Sequence, residues 1–94
     1  MNLMHEWFKY LFDLRKDKNG YVNCFECGKK LHQDIYRETS SCYSHILSKK
    51  LYPEYRGDPE NIVIVCPDCH NLYTYRPKKA INQYNKYLEL KKNM

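Results

Sequence analysis

The stretch Ile62-Val63-Ile64-Val65-Cys66-Pro67-Asp68-Cys69-His70 decides how this chain is read. Four consecutive β-branched residues favour a strand, because their stiff side chains pack on a pleated surface and lose freedom in a helix. The strand runs straight into Cys66-x-x-Cys69, a turn that offers two thiols to adjacent corners of a metal's coordination shell. A short helix is expected over residues 69 to about 75, stopped by the extended preference of the residue before Pro77.

A second turn of the same spacing, Cys24-Phe25-Glu26-Cys27, lies upstream, with 38 residues (28 to 65) between the two pairs. Residues 21–24 read as a short strand feeding it, and Gly28 lets the backbone fold under a metal, the shape of a zinc knuckle. Four thiolates suit tetrahedral zinc and leave no position open for water or substrate, so such a site is structural. The alternatives are free core thiols or a redox pair, and the redox reading lacks a βαβ context. Cys42, the odd fifth cysteine, reads as a small buried apolar residue.

Outward from these turns, Leu3, Met4, Trp7, Phe8, Leu11 and Leu14 recur at helical spacing, so an amphipathic helix is expected over residues 3–17, ended by Asn19-Gly20. Residues 31–47 alternate weakly and suit a strand or bent hairpin more than a helix. Residues 49–60, with Pro53, Gly57 and Pro59, read as a loop. Pro77 opens a last helix whose shared face is Ile81, Tyr84, Leu88 and Lys91, while the charges of Lys86, Lys91 and Lys92 read as a solvated face.

Ninety-four residues with 43% hydrophobic and 29% charged side chains make one folded domain, 1–94, in three segments: 1–19, 21–75 and 77–93. The formal charge of +5 favours a polyanionic partner, although four thiolates and one Zn²⁺ together lower it to about +3. No apolar run approaches the ~20 residues of a membrane-spanning helix, and the N-terminus lacks a basic region followed by an apolar one. A reducing cytoplasm, in a bacterial host or as a phage-encoded product, is the expected compartment.

Ser44-His45-Ile46-Leu47, Asn61-Ile62-Val63-Ile64-Val65 and Cys66-Pro67-Asp68-Cys69-His70 together resemble the HNH, or ββα-metal, endonucleases, and the resemblance spans residues 24 to about 75. It is closest to the zinc-knuckle subclass in which two Cys-x-x-Cys pairs bracket the motif, many of them from phages and mobile elements. The resemblance implies an α+β fold, a small zinc-stabilised ββα-metal domain with flanking N- and C-terminal helices. It implies cleavage of DNA phosphodiester bonds with His45 as general base, Asn61 pinning the loop between the strands, and His70 holding a catalytic divalent metal such as Mg²⁺. Cys24, Cys27, Cys66 and Cys69 would hold structural Zn²⁺.

Basic residues around the motif would grip phosphates: Lys49, Lys50 and Arg56 after the base, with Arg56 and Lys49 preferred, and Arg76, Lys78 and Lys79 after the helix. His5 and His32 read as structural or incidental, and one or two exposed tyrosines at most would touch nucleic acid.

Many relatives carry Asp immediately before the base, where this chain has Ser44, a neutral and weak ligand. The missing oxygen has three possible sources: Asn71 or Thr74 near the helix start, a carboxylate such as Asp34 or Glu60, or water and the substrate phosphate. Ser44 equally suits a rival reading, a non-catalytic zinc module that binds nucleic acid or protein. A further reading is an accessory subunit of a phage DNA-processing assembly with the N-terminal helix as docking surface, which exposure of Trp7 and Phe8 would support and full burial of both would weaken. A homodimer would allow two cuts, and nothing in the sequence demands one.

Overall fold

The computed structural model describes residues 3–94; Met1 and Asn2, part of the expected N-terminal segment, lie outside the described residues. Helix α1 (Leu3–Arg15) buries Phe8, Leu11 and Phe12, with Met4 and Trp7 packed at the edge of the core. It ends two residues before the expected boundary, because Asp17 turns its carboxylate onto the backbone N–H groups of Asn19 (2.9 Å) and Tyr21 (3.0 Å). Gly20 follows at φ +87°, a left-handed conformation that favours glycine.

Two antiparallel hairpins come next. Strand β1 (Tyr21–Asn23) pairs with β2 (Lys30–His32) around the first cysteine turn, Val22 opposite Leu31. Strand β3 (Tyr43–His45) pairs with β4 (Ile62–Ile64), Tyr43 opposite Ile64, Ser44 opposite Val63 and His45 opposite Ile62. The fold is α+β, as expected, but residues 31–47 are not one bent strand. Between β2 and β3 lie a one-turn helix α2 (Gln33–Tyr36) and a 3₁₀ turn, Ser40–Cys42. His32 caps α2 by accepting from the Asp34 N–H at 3.2 Å, a local side-chain signal that a period-two reading cannot register.

Helix α3 (Pro67–Tyr75) begins two residues earlier than expected, because Pro67 at the first helical position is already set to helical φ. The second hairpin packs on α1 through a Phe8–Tyr43 ring stack with centroids 4.6 Å apart. Arg15 donates to the carbonyls of Ile62 (2.8 Å) and Pro59 (2.9 Å), tying the end of α1 to the entry of β4. The β-branched run is fully buried, and Cys42 sits beside it at 0% exposure. Burial and the neighbouring Cys66 and Cys24 sulfurs push the Cys42 thiol up to about 11, so it packs as an inert apolar group.

The C-terminal helix departs most from expectation. Residues Pro77–Lys79 form a 3₁₀ turn and α4 (Ile81–Lys92) starts only after it. Ile81 and Leu88 are exposed; the face turned inward is Gln83, Tyr87 and Leu90. The helical period was legible, and the face was not, because Gln83 is held inside by donating to the Cys69 carbonyl at 3.2 Å. Lys86 also leaves the solvated face: it ion-pairs with Glu60 at 2.8 Å, and Lys91 donates to the Tyr52 hydroxyl at 2.7 Å.

Ala80 precedes α4 and has no side chain to cap it. The cap comes from 56 residues away, where the Glu26 carboxylate accepts from the N–H groups of Asn82 (3.0 Å) and Gln83 (2.9 Å). Asn82 returns the contact by donating to the Glu26 carbonyl at 2.9 Å. A residue inside the first cysteine turn thus docks α4 on the knuckle, with negative charge at the positive end of the helix. Glu26→Ala is expected to cost about 1 kcal/mol, a fall in melting temperature of about 4–8 °C, measured by thermal denaturation of the zinc-loaded protein.

Candidate metal centre and catalytic cleft

The two cysteine turns meet. The Sγ atoms of Cys24, Cys27, Cys66 and Cys69 all lie within 4.8 Å of one another, and those of Cys27 and Cys66 are 3.9 Å apart. A tetrahedral zinc with bonds of about 2.3 Å sets its sulfurs about 3.8 Å apart, so the cluster closes on the ion with a contraction of about 1 Å at most. The backbone favours the anionic form of the Cys24 sulfur. Burial would raise the Cys24 thiol, but N–H groups of Cys27 (3.5 Å) and Cys66 (3.3 Å) point at its sulfur and bring it below the ordinary thiol value. Burial pushes Cys69 up, as crowding several potential anions without a counter-cation must. Gly28, at φ +80°, donates to the Cys24 carbonyl at 2.9 Å and turns the chain under the site.

Cys69 is followed at once by His70, so the four-thiol cluster fixes where the first turn of α3 starts and where this imidazole stands. His70 lines a cleft of about 700 Å³ with His45, Ser44, Lys49 and Thr74, and the remaining wall is Phe8, Tyr43 and further serines. The structure therefore brings His45 and His70 into one cleft from the end of β3 and the start of α3.

His45 Nε2 lies 2.9 Å from the Arg56 carbonyl. A carbonyl only accepts, so this nitrogen carries the proton and Nδ1 keeps its lone pair. Burial lowers the proton affinity of the ring; the Arg56 carbonyl opposes it, and the charges of Lys49, Arg56 and His70 lower it further. The net result is an imidazole that is neutral at pH 7.

The loop that carries the Arg56 carbonyl is itself held by Asn61, which is 1% exposed. Its Nδ2 donates to the carbonyls of Leu47 and Tyr55, both at 3.1 Å, and its Oδ1 accepts from the Leu47 N–H. Tyr73 on α3 donates to the Ile46 carbonyl at 2.8 Å, locking α3 against the end of β3.

Burial also lowers the His70 pKa, and its Nδ1 is buried without a hydrogen-bond partner in the protein. An orphaned imidazole nitrogen beside a hydroxyl-lined cleft suits a divalent cation, which would satisfy it. The residues around it supply no carboxylate: none lines the cleft among the described residues. Glu60 is committed to Lys86, and Asp34 is exposed beside His32 at 3.6 Å. Of the oxygen sources considered from sequence, Thr74 alone lines the cleft, its hydroxyl donating to the His70 carbonyl at 3.0 Å.

Lys49 lines the cleft, whereas the Arg56 side chain lies in an adjoining groove. The part of Arg56 that touches His45 is its carbonyl, and a backbone contact leaves no trace in residue type.

A family model for HNH endonuclease matches residues 24–76. The chain belongs to the HNH endonuclease family. Comparison with curated proteins and with solved structures returns no match. The matched segment runs from the first zinc-knuckle thiol through β3, β4 and α3, while α1 and α4 lie outside it. Membership carries nuclease activity at the coarse level and a nucleic acid as partner. No helix among the described residues is long and apolar enough to cross a membrane.

Phe8 is buried, whereas Trp7 is half-buried and donates to the Gly57 carbonyl at 3.0 Å. The HNH chain is expected to bind one zinc per molecule by native mass spectrometry. Cys66→Ser, or chelation of the zinc, is expected to abolish its cooperative thermal transition, because binding energy at such sites is folding energy.

Proposed function

We propose that the protein is a metal-dependent endonuclease that hydrolyses DNA phosphodiester bonds at the His45–His70 cleft. The observation that carries this reading is the tautomer that the contact implies for His45, a half-buried neutral imidazole whose Nε2–H is occupied by the Arg56 carbonyl. In the proposed reaction, His45 Nδ1 accepts the proton of a water aligned with the scissile phosphorus. The Arg56 carbonyl keeps the ring in orientation as it becomes positively charged. Asn61 acts as a positioning residue by holding the loop that carries this carbonyl.

His70 is the protein ligand proposed for Mg²⁺ or a similar divalent cation, with Thr74 and Ser44 lining its surroundings. Such an ion, when bound, neutralises charge on the phosphate and on the leaving 3′ oxygen. Lys49 orients the phosphate within the cleft, and the Phe8 and Tyr43 rings wall one side of it. Contacts of this kind go to the backbone of the nucleic acid, so little sequence preference is expected from the chain.

The absence of a carboxylate from the cleft favours one second reading, a zinc-stabilised module that binds nucleic acid without cutting it. The two separate with purified zinc-loaded protein, supercoiled plasmid and Mg²⁺ or Mn²⁺. The nuclease converts plasmid to nicked or linear form and His45→Ala does not; equal conversion by both, or by neither, sinks the nuclease reading.

The pH profile follows from His45. Only its neutral form accepts a proton, and burial holds its pKa below 6.5, so the rate is expected to stay level near pH 7 and fall only at lower pH. Lys49→Gln removes a positive charge that disfavours protonation, so the acid limb is expected to move to higher pH.

Ser44→Asp places a carboxylate beside His70, and half-maximal cleavage is expected at a Mg²⁺ concentration lower by about tenfold or more. No change in the metal requirement would remove Ser44 from the account of the site.

A further inference from the structure

A groove of about 840 Å³ lies next to the catalytic cleft, between α1 and the loop that follows β3. Its lining is Leu3, Met4 and Trp7 on the helix side and Lys49, Lys50, Arg56 and Gly57 on the loop side. Lys49 lines both the groove and the cleft. The α1 wall lies outside the segment that the family model matches.

The chemistry of the lining is specific in three respects. Among the described residues it carries three cations and no carboxylate. None of Lys49, Lys50 and Arg56 has an ion-pair partner among the described residues, whereas Lys9, Lys16, Arg37 and Lys86 are each paired with an acidic side chain. The opposite wall is aromatic and fixed. Trp7 is stacked on Tyr10 with centroids 5.4 Å apart, and its Nε1–H is held by the Gly57 carbonyl at 3.0 Å. At Gly57 the groove is open, since an added Cβ would meet nothing within 4 Å.

Free cations along one side and an immobilised indole with apolar neighbours on the other match the needs of an unpaired nucleic-acid strand. Its phosphates require positive charge, and its exposed base faces require an apolar, aromatic surface. A base-paired duplex buries those faces in its own stack and has no use for the apolar wall. An acidic peptide would use the cations and leave Trp7 unexplained.

We propose that the groove between α1 and the 48–57 loop binds an unpaired DNA strand flanking the scissile phosphate, with phosphates on Lys49, Lys50 and Arg56 and a base against Trp7. The substrate class is therefore DNA with a single-stranded flank, such as an overhang, flap or displaced strand. This rests on the nucleic-acid reading of the neighbouring cleft. Arg56 joins the two regions: its side chain faces the strand in the groove while its carbonyl holds His45.

Trp7 is the sole tryptophan of the chain, so its emission reports on the groove directly. The test uses zinc-loaded full-length protein without added Mg²⁺, titrated with a short oligothymidylate, a blunt duplex of equal length and a polyglutamate peptide. Oligothymidylate is expected to change Trp7 emission and to bind about tenfold more tightly than the blunt duplex, the worth of about one stacked base. Lys50→Ala is expected to make the slope of log K against log salt shallower by about 0.7, the loss of one phosphate contact to a single strand. Lys18→Ala, beyond the opposite end of α1, should leave the slope unchanged.

Equal affinity for the blunt duplex, silent Trp7 emission, an unaltered slope in Lys50→Ala, or a response to polyglutamate in place of the oligonucleotide overturns the proposal. Plasmid cleavage by the wild type but not by His45→Ala is read separately. Cleavage with a silent groove defeats the groove alone, and strand binding without cleavage defeats the nuclease reading alone.

Discussion

The meeting of four sulfurs from opposite ends of the matched segment is the constraint on which the rest of the structure depends. Each hairpin has two strands of three residues, too small to be stable alone in water. The first cysteine turn closes the β1–β2 hairpin, and the second leaves β4 and starts α3, so one zinc held by the cluster would join both hairpins to the helix. The backbone repeats the link where Phe25 N–H donates to the Ile64 carbonyl at 2.8 Å. Glu26 extends it to α4. A chain of this length buries a modest core, and a metal crosslink offsets much of the entropy that such short elements would otherwise lose.

The cysteine cluster also positions the cleft. His70 adjoins one of its thiols, so its backbone is placed by the cluster, while Tyr73 one turn on grips the end of β3. His45 at that strand end is oriented from the other direction, by a carbonyl on a loop that Asn61 staples in three places. Two imidazoles from different elements are thus set by separate scaffolds that share one anchor.

What was legible in the sequence was what depends on spacing and on stiff side chains. Ile62 to Val65, the paired cysteine turns and the period of α1 each announce themselves within a few residues. The inward face of α4 was not legible, because it is decided by Gln83 reaching a carbonyl on α3 and by a cap supplied from Glu26, contacts 14 and 57 residues apart in the chain. The helical turn at 33–36 was hidden for a smaller reason, since it depends on a His32 side chain accepting one backbone N–H. At the site, the residue types of His45, Asn61 and His70 pointed to the cleft, but the Arg56 contact is made by a carbonyl that every residue possesses.

Net charge said less about partners than the placement of charge does. Four thiolates holding one zinc would lower the formal +5 to about +3, a weak attraction for a polyanion. Yet Lys9, Lys16, Arg37 and Lys86 are paired with acidic side chains, while Lys49, Lys50 and Arg56, which line the groove, have no such partner among the described residues. The cleft holds no carboxylate of its own, which changes the order in which ligands favour one another. Under the proposed function, a divalent cation entering first meets only neutral donors and nearby positive charge. A phosphodiester entering first is welcomed by Lys49 and brings the anionic oxygens that the protein lacks. Linkage then requires that DNA raise metal affinity by the same factor by which metal raises DNA affinity, so Ser44 makes the metal a partner of the substrate more than of the resting protein.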